Sequence, residues 1–345
     1  MNNTGEIGAV LIGRNEGDRL VRALAAVTGQ VARVVYVDSG STDSSVAAAE
    51  AAGAQVVELD LSVPFTAARA RNAGLDALLA VGPLTYVQFI DGDCELQPSW
   101  LETAMALLES HPKAAVACGR RHERFPEASV YNRLCDQEWD TPIGQADACG
   151  GDSLMRVEAV EAVGGFDPTL IAGEEPELCL RLRRAGWTIH RLDTEMTLHD
   201  AAMTRFSQFA KRMVRSGWAY AEGADRYGKG PERYNVSEVR RIWLWSLIVP
   251  STTTMLALGW LITGHGWLGI LALLGIFTYP AMILKIARYR HKSFGDPWGS
   301  ALAYGLFIKL GRPWQLKGML DYRAHKACGG EAKIIEYKDV PEGRT

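Results

Sequence analysis

Between residues 242 and 284 the chain carries no Asp, Glu, Lys or Arg, and this constrains its architecture more than any other feature. The run divides at His265 into 242–264 and 266–284, each close to the roughly 20 residues with which a helix crosses a hydrocarbon core. Helices apolar on every side belong in lipid or deep inside a large protein, and a chain of 345 residues has little core to spare for two. A membrane hairpin is therefore expected, in which neighbouring groups satisfy the backbone freed by Pro250, Gly259 and Gly275. Arg240 and Arg241 precede it and Lys285, Arg288, Arg290 and Lys292 follow it, while its tip has neither Lys nor Arg. The positive-inside rule then puts both ends in the cytoplasm, at the inner membrane of a bacterial cell. The stretch 298–310 is too short to cross and carries Lys309, with Trp298, Tyr304, Trp314 and Tyr322 nearby, so an interfacial helix is expected there.

The residues before the hairpin have a different grammar. Apolar runs at 7–12, 34–37, 55–59 and 86–90 alternate with segments of helical periodicity, and each run ends in polar turn formers. Such alternation predicts a mostly parallel, Rossmann-like sheet flanked by helices, with ligands beyond the carboxyl ends of its strands. Those ends carry Arg14-Asn15-Glu16, Asp38 and Asp91-Gly92-Asp93. The loop Gly13-Arg14-Asn15-Glu16-Gly17 does not fit the dinucleotide-binding pattern G-x-G-x-x-G, which disfavours hydride transfer. A formal net charge of −3 gives no basic field for nucleic acid, so no nucleic-acid partner is expected. The six cysteines form no C-x-x-C pair and fit free thiols in a reducing compartment. The start at Met1 lacks the basic and apolar stretches of a secretory signal, so the first domain is expected to stay in the cytosol.

Asp91 and Asp93 flank a glycine directly after an apolar strand, which puts two carboxylates on a tight turn that a ligand can approach closely. Oxygen donors of this kind suit Mg²⁺ or Mn²⁺ beside a phosphate-bearing substrate. With Arg14-Asn15-Glu16, Val37 to Asp43, Ala68 to Gly74, Gly150-Gly151, Gly164 to Asp167 and Gly173 to Leu182, this motif resembles the family 2 glycosyltransferases in order and approximate spacing. The resemblance covers residues 7 to about 220. It implies a GT-A fold for a catalytic domain over 1–228, with a hairpin over 229–292 and an interfacial helix and cytoplasmic tail over 293–345. It also implies inverting transfer from a nucleoside-diphosphate sugar, UDP- or GDP-linked.

By that resemblance Arg14, Asn15, Glu16, Asp38, Arg71, Asp91 and Gly92 contact the nucleotide-sugar, with Asn72 beside them. Asp93 binds the metal, with Asp91 and His199 as further ligands. Asp38 also reads as a turn or cap residue, and Arg71 as one half of a salt bridge. Inversion needs one carboxylate as general base for the acceptor hydroxyl. The family's Glu-Asp pair is here Glu174-Glu175, so the base is Glu175 reaching further or Glu174 in its place, with Glu175 favoured. Arg212 and Arg215, three apart on one helix face, can neutralise a diphosphate or a lipid headgroup. They resemble part of the Gln-x-x-Arg-Trp element of processive synthases, but the glutamine is absent, which favours single transfer. Gly150, Gly151 and Asp152 are expected on the acceptor side, and Trp139 and Trp187 are candidates for stacking on a sugar. A lipid or lipid-linked saccharide fits the acceptor, since a soluble sugar would need no bilayer. The rivals are a nucleotidyltransferase, whose basic Gly-rich phosphate loop is missing after the first strand, and a non-catalytic nucleotide-binding membrane scaffold.

Overall fold

The computed structural model describes residues 6–329; the expected tail beyond Gly329 lies outside the described residues. The chain divides into two compact units, one up to Thr204 and one from Arg205. The first unit comprises β1 (Ile7–Gly13), α1 (Asp18–Val27), β2 (Arg33–Asp38), α2 (Ser45–Ala51), β3 (Gln55–Glu58), α3 (Ala67–Val81), β4 (Tyr86–Asp91), β5 (Cys94–Leu96), α4 (Trp100–Ser110), β6 (Ala114–Glu123), α5 (Val130–Trp139), β7 (Gly144–Ala146), β8 (Ser153–Arg156), α6 (Val157–Ala162), α7 (Glu174–Arg184) and β9 (Thr188–His199).

The strands form one sheet in the order β3-β2-β1-β4-β8-β6-β9-β5, with β7 paired to β9. β1 is apolar throughout because it is covered on both faces. Ile7, Ala9 and Leu11 pack with Leu20, Leu24 and Val27 of α1 and Trp100 and Leu108 of α4. Val10 and Ile12 face the other layer, with Ala70, Leu75 and Leu78 of α3 and Leu178 and Leu182 of α7. Gly74 lets α3 lie this close, since a Cβ there would sit 2.4 Å from Val10 Cγ1.

The four strands read from the sequence are parallel to one another, and their register decides where the polar clusters go. Gly13 pairs with Asp38 and Ile12 with Asp91, so three strands end side by side. The remainder of the sheet is mixed: β8 runs antiparallel between β4 and β6, and β9 joins β6 in parallel and β5 and β7 antiparallel.

The second unit holds α8 (Phe206–Tyr227), α9 (Val236–Trp243), a π-helical turn (Leu244–Ile248), α10 (Val249–Thr263), α11 (Gly266–Phe294) and α12 (Trp298–Cys328). α8, which the sequence assigned to the catalytic domain, falls here because its apolar face packs within this unit, with Phe209 edge-on to Phe307 and Trp218 to Tyr322. The π turn lies just before Pro250, whose missing N–H disrupts the regular ladder. Val236–Thr263 and Gly266–Phe294 are each long and apolar enough to cross a membrane. Their side chains point outward, Met255, Leu261 and Ile262 being 72%, 71% and 82% exposed, which is unlike core helices of a soluble protein and suggests membrane association. Residues 298–310, expected as a short interfacial piece, are instead the beginning of a longer helix that runs through Pro313 to Cys328.

Candidate active site

The turn between β4 and β5 sends its two carboxylates in different directions. Its glycine is dictated by a close approach: Gly92 N–H donates to Ile12 O at 2.8 Å, and a Cβ would sit 3.0 Å from that oxygen. Asp91 Oδ1 accepts from Arg71 Nη2 at 2.9 Å and Oδ2 from Arg121 Nη2 at 3.2 Å. Asp93 meets a different partner, its Oδ2 lying 3.3 Å from His199 Nε2.

Arg71 is the hub of the first direction. It is almost fully buried, lies over the Phe166 ring at 5.6 Å and donates from Nη1 to Glu174 Oε1 at 2.9 Å; its Nη2 is 3.2 Å from Glu175 Oε1. Its neighbour Asn72 fixes that ring, accepting from Phe166 N–H and donating to Phe166 O. The helix α7 begins at Glu174, with Gly173 left-handed before it, so both glutamates stand on its first turn and Pro176 follows within that turn. Glu174 is enclosed, its side chain 3% exposed, whereas that of Glu175 is 15% exposed. Burial and then the Glu174 carboxylate raise the Glu175 carboxyl to about 7, against the opposing pull of Arg71. A group at that value can take up and release a proton near neutral pH.

In the second direction the sheet register is decisive. His199 at the end of β9 lies between Cys94 of β5 and Glu123 of β6, the residues paired with it on either side. Its Nδ1 is 3.1 Å from Glu123 Oε2, and the Trp139 ring meets it edge-on at 4.6 Å. Burial, followed by Arg121, lowers the imidazole's proton affinity. Asp93, Cys94 and His199 place their donor atoms within 4.8 Å of one another. Burial keeps the Cys94 thiol protonated, leaving a carboxylate and an imidazole as ready ligands. Two such donors 3.3 Å apart can share one ion with bonds of about 2.1 Å. Around them Asp91, Asp93, Glu123, Asp152, Glu174 and Glu175 outnumber Arg71 and Arg121, so the residues present fit a divalent cation and would repel an unaccompanied diphosphate.

The other residues foreseen from sequence fall into three groups. Asn15, left-handed at φ 55°, is buried; its N–H donates to Ser41 Oγ and its Oδ1 accepts from Thr42 N–H, pinning the loop after β2. Asp38 accepts from Tyr36 OH, Gly40 N–H and Ser41 N–H, and so acts within its own turn. Glu16 pairs with Arg19, and Arg14 is exposed. Gly151 abuts the site, a Cβ there being 2.8 Å from Asp91 Oδ2. Asp152, expected to face the acceptor, is instead fully buried under the turn, accepting from Asp91 N–H at 2.9 Å and Thr197 Oγ1 at 2.7 Å. Its hydrogen bonds to the β4 end and to β9 hold it there. Gly150 is left-handed at φ 91°, and Trp187 packs against the core. Arg212 and Arg215 lie on α8, in the second unit.

Two participants were not foreseen. Arg121 pairs with Asp91, approaches Asp152 at 3.5 Å and lies over Trp139 at 4.7 Å. Glu123 holds His199. Both sit two apart on β6, within the run Arg120-Arg121-His122-Glu123-Arg124, and their period-2 spacing was the available signal.

Acidic clusters gathered at the ends of parallel strands, with a second acidic pair at a helix start in the mixed half of the sheet, define the GT-A class of glycosyltransferase. Residues 9–164 match the family model described as glycosyl transferase family 2, so the chain carries a family 2 glycosyltransferase domain. It is 27% identical over 208 residues to the pre-mycofactocin glycosyltransferase of Mycobacterium tuberculosis, covering 56% of this chain and 43% of that one. The chain thus spans less than half the length of that relative. It is 24% identical over 311 residues to the succinoglycan biosynthesis protein ExoA of Rhizobium meliloti, covering 86% of this chain and 88% of the other. Among solved structures, a mannosyltransferase from Pyrobaculum calidifontis in complex with GDP-Man and Mn2+ superposes with a TM-score of 0.51 at 15% identity, over 93% of this chain and 87% of that one.

Proposed function

We propose that this chain transfers a single sugar, with inversion, from a UDP- or GDP-linked donor to a lipid or lipid-linked saccharide at the cytoplasmic face of an inner membrane. The observation that carries the proposal is Glu175: a partly exposed carboxyl, titrating near neutrality, on the same arginine as Asp91. Glu175 takes the proton of the acceptor hydroxyl as that oxygen attacks the anomeric carbon opposite the leaving diphosphate. Glu174, enclosed by Arg71, keeps the field at Glu175 negative rather than acting as the base itself. Asp91 and Arg121 line the donor side, with Gly151 leaving room beside them. Asp93 and His199 would hold Mg²⁺ or Mn²⁺, which supplies positive charge to the departing diphosphate. Arg212 and Arg215 are kept for the diphosphate or a lipid headgroup.

The outward apolar faces of α10 and α11 support a lipid acceptor, and the basic flanks of the hairpin support the cytoplasmic orientation. The long alignment with a succinoglycan biosynthesis protein supports a setting in polysaccharide or glycolipid assembly. The test is transfer by the detergent-solubilised full chain from a panel of nucleotide-sugars with Mn²⁺, the product's anomeric configuration being read by NMR. Glu175→Gln should lower the rate by about 10²–10⁴-fold, and Asp93→Ala should abolish the Mn²⁺ dependence. Undiminished transfer by both variants would sink the site assignment.

A further inference from the structure

The Glu123 carboxylate is committed to a task that the transfer chemistry does not explain. Its side chain has no exposed surface, although it sits at the end of a strand where solvent is near. Three N–H groups from elsewhere in the chain donate to it. Oε1 accepts from Asn132 Nδ2 at 3.2 Å and from Phe125 N–H at 3.3 Å, and Ala201 N–H reaches Oε2 at 3.1 Å. Oε2 also meets His199 Nδ1 at 3.1 Å. With N–H donors from Asn132, Phe125 and Ala201 already directed at it, this carboxylate serves as an acceptor, and the ring nitrogen facing it is the one placed to carry a hydrogen.

We propose that Glu123 is the positioning residue for a divalent-cation site, holding the proton of His199 on Nδ1 so that Nε2 presents its lone pair beside Asp93. This rests on the cation reading given above. The sheet fixes the ring between two carboxylates, and Glu123 Oε2 lies nearer Nδ1, at 3.1 Å, than Asp93 Oδ2 does to Nε2, at 3.3 Å. Arg124 N–H donates to His199 O at 2.7 Å, Glu123 is in register with His199 across β6 and β9, and Trp139 closes on the ring edge. Asn132 braces the carboxylate from behind, its own Oδ1 accepting from Met203 N–H at 3.0 Å. Outer carboxylates of this kind orient a ligating imidazole and make it more basic, and their loss typically weakens metal binding by about 10–100-fold.

Two measurements on the full chain in detergent test this. In the first, ¹⁵N-histidine NMR of the metal-free protein above pH 8 reads the tautomer of His199, its signals assigned with His199→Gln. The Nδ1–H form is expected, and an Nε2–H form overturns the proposal whatever the cation does. In the second, Mn²⁺ binding is followed by electron paramagnetic resonance. Glu123→Gln keeps the shape but substitutes an amide NH₂ for one acceptor, and should weaken Mn²⁺ about tenfold or more, with Glu123→Asp recovering part of the loss. Wild-type affinity in a folded Glu123→Gln protein overturns the proposal. A wild-type chain that binds no Mn²⁺, yet shows the Nδ1–H tautomer, removes the cation reading and with it the site that Glu123 would serve.

Discussion

The two units solve opposite problems with the same apolar residues. In the first, β1 is covered on both faces and charge is gathered at strand ends, where Arg71 and Arg121 hold the surrounding carboxylates. In the second, Leu258, Leu261, Ile262, Leu273 and Leu274 project outward, and the helices meet through aromatic pairs and at glycines where their backbones come close. A Cβ on Gly217 of α8 would sit 2.0 Å from Gln315 O of α12, and one on Gly318 of α12 would sit 2.0 Å from Val214 O. Water drives apolar side chains inward, whereas lipid offers no such drive and leaves close backbone packing to join helices. The outward apolar faces of α10 and α11 suggest membrane association for the second unit.

The sharpest way to break that contrast is to put charge on the outward face of the hairpin. Arg or Lys at the centre of a membrane helix costs about 2.5–3.5 kcal/mol on insertion scales, while an exposed position in water tolerates it within about 0.5 kcal/mol. The double variant Leu258→Arg, Leu274→Arg should therefore lose about 5–7 kcal/mol of insertion free energy. Flotation with liposomes reads the result: a wild-type chain that does not float, or a variant that floats and melts as the wild type does, would mean that these two faces do not lie in lipid.

Next in size is Gly217→Leu, whose side chain has a carbonyl where its Cβ must go. Overpacking of this severity should destabilise the helical unit by about 3 kcal/mol. Thermal melting followed by tryptophan fluorescence should show a lower midpoint than for Gly53→Leu, a left-handed surface glycine with no atom near its Cβ.

How much of this could be read from sequence follows the same division. The hairpin was legible because span length and absence of charge are local properties, and the order of β1 to β4 because each strand ends in its own turn formers. The cluster around Asp91 was legible in kind but not in arrangement. Asp152 looked like a loop residue beside two glycines, yet the antiparallel insertion of β8 next to β4 carries it beneath Asp91 N–H. Arg121 and Glu123 sit in a charge run that reads as a solvated face. Only pairing of β6 with β9, across more than 70 residues, turns Glu123 toward His199. Information of that kind resides in the sheet order and not in any window of sequence.

Within the first unit the comparison sharpens to a single carboxyl. Glu175 is raised from 4.5 to about 7 in the folded chain, so the folded state binds its proton more tightly than the unfolded chain does. That stability is fully present below about pH 4.5 and is lost as pH rises through about 7. Glu175→Gln removes the dependence. It should stabilise the unit at pH 8 by on the order of 2 kcal/mol, discounted for partial solvent exposure, and by nearly nothing at pH 4. Equal melting shifts at both pH values would place the titrating group elsewhere.

The smallest effect expected tests the arginine that holds both halves of this cluster together. Arg71 pulls the Glu175 proton affinity down against burial and Glu174, and its planar fork reaches Asp91, Glu174 and Glu175 at once. A lysine keeps the charge but, as a point donor on a flexible stem, cannot serve all three. Arg71→Lys should therefore let the Glu175 value rise, moving the rising limb of the transfer-rate profile to higher pH by about one unit, or about 1.4 kcal/mol. The variant should lose several-fold activity at pH 6 relative to wild type and recover most of it by pH 9. A uniform loss across the profile would mean that Arg71 serves donor binding alone, and that the negative field at Glu175 is balanced by some other group.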